Sequence, residues 1–248
     1  ASFNISDYRS KMGYMANRQK IDGTKITEEG SYYNEWYGYK NLGIILNDAA
    51  MYDEDGNPIA VLTNNDKAGN IRYLDIDKDG KITASNDRVR LGNSLPELQY
   101  GGSLWAEWKN FDFNMTMRGA FGFDILNMPR LQYESPVMLS RGNVLNAAFD
   151  TKYGKVPLAA DQELQYVSYY IEKGNYWKID NVTLGYTFKF NSWIKRLRIY
   201  GTISNLATIT GYSGIDPEVS ISGLAPGVDN KNRYPSTRTY ILGISVKF

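Results

Sequence analysis

Residues 111–121 read Phe111-Asp112-Phe113-Asn114-Met115-Thr116-Met117-Arg118-Gly119-Ala120-Phe121. Apolar side chains take the odd positions Phe111, Phe113, Met115, Met117 and Phe121, with Asp112, Asn114, Thr116 and Arg118 between them. A period of two sends the two sets to opposite faces of a strand. The run is as long as a tilted strand that crosses a bilayer, about 9–11 residues. The same dyad returns in Tyr240, Leu242, Ile244, Val246 and Phe248.

Working outward, strands are expected over 97–108, 111–122, 176–190, 195–206 and 238–248. Leu98, Tyr100, Leu104, Ala106 and Trp108 share a face of the first, and Val182, Leu184, Tyr186, Phe188 and Phe190 share one of the third. In the fourth, Leu197, Ile199 and Ile203 oppose Arg196, Arg198, Thr202 and Ser204. Further strands are expected near 3–9 and 31–40, and no internal repeat or low-complexity linker is evident. Long repeated dyads ending on Phe248 predict an all-β chain that forms part of a transmembrane antiparallel β-barrel.

Composition agrees. No run of about 18 consecutive apolar residues exists, which excludes helical spans but not a barrel, whose strands alternate and average polar. The 20 Tyr, 23 Gly and 5 Trp fit twisted, aromatic-rich sheet. A secreted β-sandwich or lectin shares much of this composition. With no Cys there are no disulfides, thiolate nucleophiles or Cys-based zinc sites, and with no His the commonest general base is missing. Catalysis is not expected. A net charge of +1 gives no push toward nucleic acid or acidic lipid. The chain opens at Ala1-Ser2-Phe3-Asn4-Ile5, already strand-like and without a signal peptide. An exported protein is therefore expected to have an N-terminal part beyond this chain.

The connections carry a second signal. Lys109-Asn110 and Asn191 to Ile194 are short, while 41–96, 123–175 and 207–237 are long. Bacterial barrels place short turns on the periplasmic side and long loops outside. With a periplasmic C-terminus, every connection lands on its expected side. Gln165 to Ile171 is read either as a local hairpin or as an extension of the following strand. A third signal is aromatic: Trp108, Phe111, Phe190, Trp193 and Phe248 all fall at the short-turn end, as an interfacial girdle would. Core aromatics near hairpin turns would produce the same pattern in a sandwich.

The sharpest local motif runs Asp75-Ile-Asp77-Lys-Asp79-Gly80-Lys81 and on to Asn86-Asp87. Alternate acids with Gly at the sixth position are how a loop wraps oxygens around calcium, with Lys81 supplying its carbonyl at the seventh. The twelfth position should carry a bidentate acid, but it is Asn86, and Asp87 falls one residue late. The alternatives are a Ca2+ site at Asp75, Asp77, Asp79, Lys81 and Asp87, or a solvated acidic turn capped by Gly80. Asp53-Glu-Asp55-Gly56-Asn57-Pro58 and Gly211-Tyr212-Ser213-Gly214-Ile215-Asp216-Pro217 read as turns. Tyr212 either stacks on a sugar ring or packs its own loop, the second being commoner. Arg118, Arg196 and Arg198 alternate with apolar residues, which suits a wet lumen better than a nucleic-acid patch. No placed pair of carboxylates supports a glycosidase.

The ordered motifs together resemble the C-terminal part of the SusC/RagA-type TonB-dependent outer-membrane transporters of Bacteroidota. Tyr37-Gly38-Tyr39-Lys40-Asn41-Leu42-Gly43-Ile44 is similar to their YxYKxxGI stretch, and Asp75 through Asp87-Arg88 to Leu91-Gly92-Asn93-Ser94-Leu95-Pro96 is similar to their DxNxDGxIxxxDRxxxGNxxP segment. Asn181-Val182-Thr183-Leu184-Gly185-Tyr186, Asn205-Leu206, Gly211 to Glu218 and Tyr234 to Tyr240 continue the order. The resemblance implies a 22-stranded barrel around a plug domain that is not in this chain. It also implies coupling to the TonB complex through an absent segment, and a SusD-like surface lipoprotein lid that delivers oligosaccharides or peptides. Residues 1–248 would then form a C-terminal section of the barrel, in contact with outer-membrane lipid and needing the remainder of its own barrel and plug. A passive porin and a soluble carbohydrate-binding β-domain are the rival readings.

Overall fold

The computed structural model describes residues 1–62, 66–134, 142–150, 166–219, 226–230 and 234–248. In chain order these form β1 (Ser2–Asp7), β2 (Gln19–Asp22), β3 (Lys25–Glu28), β4 (Glu35–Tyr39), β5 (Asn41–Ile44), β6 (Ile71–Tyr73) and β7 (Arg88–Asn93). Then come β8 (Leu98–Trp108), β9 (Phe111–Phe121), β10 (Asp124–Asn127), a short helix α1 (Met128–Tyr133) and β11 (Ile171–Lys173). The last are β12 (Tyr176–Lys189), β13 (Arg196–Thr210), β14 (Val228–Asp229) and β15 (Thr239–Lys247).

The strands with the clearest period of two make one antiparallel sheet, in the order β1-β8-β9-β12-β13-β15. All five main expected strands lie in this wall, and the one expected near 3–9 supplies its edge, β1. Register follows the apolar pattern: Leu104 lies opposite Met115, Met115 opposite Val182, Val182 opposite Ile203, and Ile203 opposite Tyr240. The two-residue link between β8 and β9 reverses the chain with Lys109 at a φ of +57°. One irregularity interrupts β12: the register shifts between Ile179 and Asn181, leaving Asp180 as the extra residue against β9. That bulge reverses the phase of the strand. Trp177 and Ile179, odd-numbered, therefore share a face with the even-numbered Val182 and Leu184.

The strand expected near 31–40 is not in the wall. Its residues form β4, with Glu35, Trp36, Gly38 and Tyr39 all buried, and pair with β3 and β7. A strand buried on both faces belongs inside a packed unit. The first long connection therefore spans 8–97 instead of 41–96, and the other two span 122–175 and 211–238. The segment expected as a hairpin or as an extension of β12 begins at Gln165, outside the described residues. Its remainder forms a single helical turn, Ser168–Tyr170, and then β11, which pairs with β10 instead of continuing β12.

The three long connections fold together into a cap. It comprises the sheet β2-β3-β4-β7, the pair β5-β6 and the triplet β11-β10-β14. Its core holds Trp36, Tyr39, Ile71, Tyr73, Leu126, Val167, Tyr169 and Tyr170. Fully burying a large apolar side chain contributes about 1.5–3 kcal/mol, and these side chains form the apolar centre of the cap. At its centre, the Trp36 indole N–H donates to the Asp124 carbonyl at 2.8 Å, and Lys25 donates to the Pro226 carbonyl. The Lys25 ammonium also sits 4.5 Å from the Trp36 ring centre. Burial pushes that ammonium down to about 8. These contacts tie the three connections together.

Candidate functional site

The wall has two chemically distinct faces. One carries Tyr100, Leu104, Ala106 and Trp108 of β8, Phe111, Phe113, Met115 and Met117 of β9, and Trp177, Ile179, Val182, Leu184, Tyr186 and Phe188 of β12. Leu197, Ile199, Ile203, Ala207 and Ile209 of β13 and Tyr240, Leu242, Ile244 and Val246 of β15 complete it. From the Tyr100 row to the Phe188 row the paired strand residues described on this face include no Asp, Glu, Lys or Arg. No described residue covers it: Leu184 is 56% exposed, Ile244 66% and Leu242 80%. An uncharged apolar face of this extent is unfavourable in water and suits hydrocarbon.

Aromatic rings border that face at both ends. At the short-turn end Trp108 stacks on Phe111, Phe111 meets Tyr186 at 4.7 Å, Tyr186 meets Phe188 at 4.7 Å, and Phe188 stacks on Phe190. Trp193 and Phe248 close the row at 4.8 Å. All five aromatics expected at this end are there. The period-two reading missed the second border, where Phe3, Tyr100 and Phe121 pack in series and Trp177 lies in the Tyr100 row. Tyr100 lies across Gly119, where a Cβ would collide with the ring. Eight residue steps separate Tyr100 from Trp108. At about 3.3 Å per step and a tilt of about 35–45°, they span roughly 20 Å, close to the apolar band of about 25 Å on membrane barrels.

The other face is polar and internally bonded. Ser204 donates to the Asn181 side chain at 2.7 Å, the Thr183 and Thr202 hydroxyls meet at 2.8 Å, and Arg198 clasps Asp112 with Nε at 2.9 Å. Arg118, Arg196 and Arg198 all stand on this face, as their spacing required.

At the long-connection end, residues 211–219 fold back over the polar face. Tyr212 and Val219 pack against Ala120, Phe123 and Ile125. Lys178 is buried there, with Nζ 2.5 Å from Glu218 and 3.4 Å from Asp216. Arg118 reaches Glu218 at 2.8 Å and Asp180 at 3.3 Å. Burial works to raise the Glu218 carboxyl, but Lys178 and Arg118 outweigh it and hold the group below its ordinary range. Tyr212 donates to Asp229 at 2.5 Å, so it packs its own loop. Ser213 donates to Glu172, which also accepts from Arg130 at 2.7 Å. Every polar residue of the Tyr212–Glu218 motif is thus a strut, a role that sequence turn-reading did not reveal. A cavity of about 520 Å³ opens beside it, lined by Asn4, Gln99, Arg118, Tyr176 and Glu218.

In the acidic loop of the cap, carboxylate oxygens of Asp75, Asp77 and Asp87 lie within 4.8 Å of one another. Asp75 accepts from the Lys78 and Gly80 amides at 2.7 and 2.9 Å, with Gly80 at a φ of +81°. Asp87, fully buried, accepts from the Ile76 and Thr83 amides at 2.8 and 2.7 Å. The acid that falls one residue late is therefore folded into the cluster. Asp79 stands outside it, accepting from the Lys81 amide at 2.8 Å, and Lys81 is exposed. Three converging carboxylates form a hard-oxygen donor set of the kind that suits calcium.

An uncharged outer face, two aromatic borders and a polar inner face define the class: a section of transmembrane β-barrel wall with its connecting loops. No family model matches the chain. It is 29% identical to TonB-dependent receptor P3 of Formosa agariphila, over 100% of this chain and 26% of that protein. It is 28% identical to TonB-dependent receptor SusC of Bacteroides thetaiotaomicron, over 98% of this chain and 22% of that protein. Among solved structures, the RagAB peptide transporter matches with a TM-score of 0.75 at 21% identity, over 99% of this chain and 26% of that one. Over nearly its whole length the chain is similar in sequence to TonB-dependent receptors, SusC among them, and it spans about a quarter of the length of these relatives.

Proposed function

We propose that this chain is the C-terminal wall and outer cap of a transporter that imports a bulky nutrient, oligosaccharide or peptide, across the outer membrane of a Bacteroidota bacterium. Energy would come from the TonB complex, acting through a segment outside these residues, and a SusD-like lipoprotein would sit on the cap. The observation that carries this reading is the two-faced wall. One face is uncharged and bordered by aromatics at both ends, the other is polar, and the edges at β1 and β15 are open. Open edges are not tolerated against lipid, so the wall requires the rest of a barrel. Relatives named TonB-dependent receptors and a structural neighbour named a peptide transporter support the same reading.

The test uses the whole receptor. It should require detergent after membrane extraction, and cells should accumulate labelled oligopeptide or oligosaccharide in a way that a protonophore abolishes. A receptor that stays dissolved without amphiphile would end the barrel reading. Uptake indifferent to the protonophore would favour a passive pore.

A further inference from the structure

A second cavity, of about 430 Å³, lies in the cap between α1, the turn at 213–215 and β14. Small-ligand sites span about 300–1,000 Å³, so the space is of a useful size. Pro129, Tyr133, Leu145 and Ile215 give it apolar walls, and Leu145 and Ile215 are exposed. Its polar side is set by β10 and β14, which run parallel and place Asn127 directly opposite Asp229, both of them buried. Most polar groups there are already spent. The Asn127 side-chain oxygen accepts from the Arg130 amide, and its nitrogen donates to Glu172 and Ser213. Ser213 donates in turn to Glu172. The Arg130 guanidinium is committed to Glu134, Glu172 and the Tyr169 carbonyl. Asp229 is the exception. It is 3% exposed, Oδ2 takes the Tyr212 hydroxyl, and Oδ1 accepts no hydrogen bond among the described residues.

Charge decides what the cavity could hold. Among its lining residues Arg130 is the one cation, and its own two carboxylate partners already outnumber it. Asp229 has no ion pair among the described residues, and a buried carboxylate without a cation is costly. A sugar would need several donors and acceptors around its hydroxyls, yet the side chains of Asn127, Ser213 and Arg130 are engaged with one another and with Glu134 and Glu172. The ligand must therefore bring its own donors and a positive charge, together with an apolar stem to lie along the walls. From this arrangement we propose that the cavity is a subsite for a lysine or arginine side chain of a peptide. Its cationic head meets Asp229 Oδ1 and its stem lies against Tyr133 and Ile215. The inference rests on the import reading and deepens it, since it names basic peptides as cargo. A cation at Oδ1 supplies the charge-assisted hydrogen bond that this carboxylate lacks.

The test uses the whole receptor in detergent and calorimetry with two hexapeptides blocked at both ends, identical except for a central lysine or glutamine. A charged hydrogen bond predicts that the lysine peptide binds about tenfold tighter or more. Asp229→Asn keeps the shape and an acceptor for Tyr212, and should erase that preference while leaving the glutamine peptide within about twofold. Ile215→Lys, at an exposed wall position, brings a competing ammonium to the cavity without touching its polar side and should weaken the lysine peptide about tenfold. Butylamine carries the same head and stem without a peptide, and should bind far more weakly than the lysine peptide. Equal binding of the two peptides, an unchanged preference in Asp229→Asn, or butylamine as tight as the lysine peptide would each overturn the proposal. So would displacement of the lysine peptide by a neutral oligosaccharide at equal concentration. Protonophore-sensitive uptake of both peptides without a lysine preference would refute the subsite alone and leave the import reading standing.

Discussion

Met115 and Asn114 are neighbours in β9 that face opposite sides of the wall, and exchanging each for arginine tests the facing directly. Met115 lies opposite Leu104 and Val182, four residues from Phe111 in one border and six from Phe121 in the other. At about 3.3 Å per residue and a tilt near 40°, those steps place it about 10 Å from one aromatic border and about 15 Å from the other. It is therefore near the middle of the apolar band, where an arginine on the lipid face costs about 2–4 kcal/mol. A cost of that size shifts the folding equilibrium by roughly 30- to 1000-fold, at about 1.4 kcal/mol per tenfold. Asn114 lies opposite Trp105 and Thr183 on the polar face, where Asn114→Arg should cost well under 1 kcal/mol by the surface-substitution rule. Val246→Arg supplies the depth control: it is on the apolar face but beside the Phe188 row, where the expected cost falls to about 0–1 kcal/mol. Heat-modifiable gel mobility of the whole receptor, followed by urea unfolding in detergent, would rank the three. The reasoning fails if Asn114→Arg is as damaging as Met115→Arg, or if Met115→Arg and Val246→Arg cost the same.

Four further outcomes are expected. Deleting Asp180 removes the extra residue but keeps the alternation, with Trp177 and Ile179 on the apolar face and Lys178 on the polar one, so the barrel should still assemble, as judged by the same gel shift; failure to assemble would refute the reading of Asp180 as the extra residue. Lys178→Met strands Asp216 and Glu218 beneath the folded-back loop and should lower stability by about 3–5 kcal/mol in urea titration, while adding Glu218→Leu should recover part of that loss. Lys25 has a folded-state value of about 8, below its ordinary 10.5, so the folded state binds fewer protons than the unfolded one between these values. Its burial cost is full below pH 8 and disappears as pH rises toward 10.5; a stability rise of about 3 kcal/mol across that window should flatten in Lys25→Met, and a rise unchanged in the variant would dismiss this origin. Titrating calcium into the receptor by calorimetry should give heat that Asp77→Asn and Asp87→Asn abolish and Asp79→Asn largely keeps. Equal loss in all three would mean the cluster is not the site.

Period-two alternation was strongest where the chain faces two unlike environments, and there the sequence was readable to within a few residues: β8, β9, β13 and β15 fell where the dyads placed them. The cap was harder because its strands are short and buried on both sides, so Trp36 and Tyr39 flank Gly38 without the alternation a lipid-facing strand must keep. The ion struts were hidden for a different reason. Asp216, Glu218, Lys178 and Arg118 are scattered in sequence, and only folding brings the loop over the wall. The instructive case is β12. Strict alternation counted back from Val182 assigns Lys178 to the lipid face, where a lone ammonium is costly, and assigns Trp177 to the lumen. Both assignments are unfavourable, and one inserted residue, Asp180, corrects both at once. The bulge also leaves the Asp180 carboxylate 3.3 Å from Arg118, on the polar side with Lys178 and Glu218. A charge appearing out of phase in an otherwise clean dyad is thus a readable sign of a bulge, because the apolar face can exclude that charge only by slipping one residue.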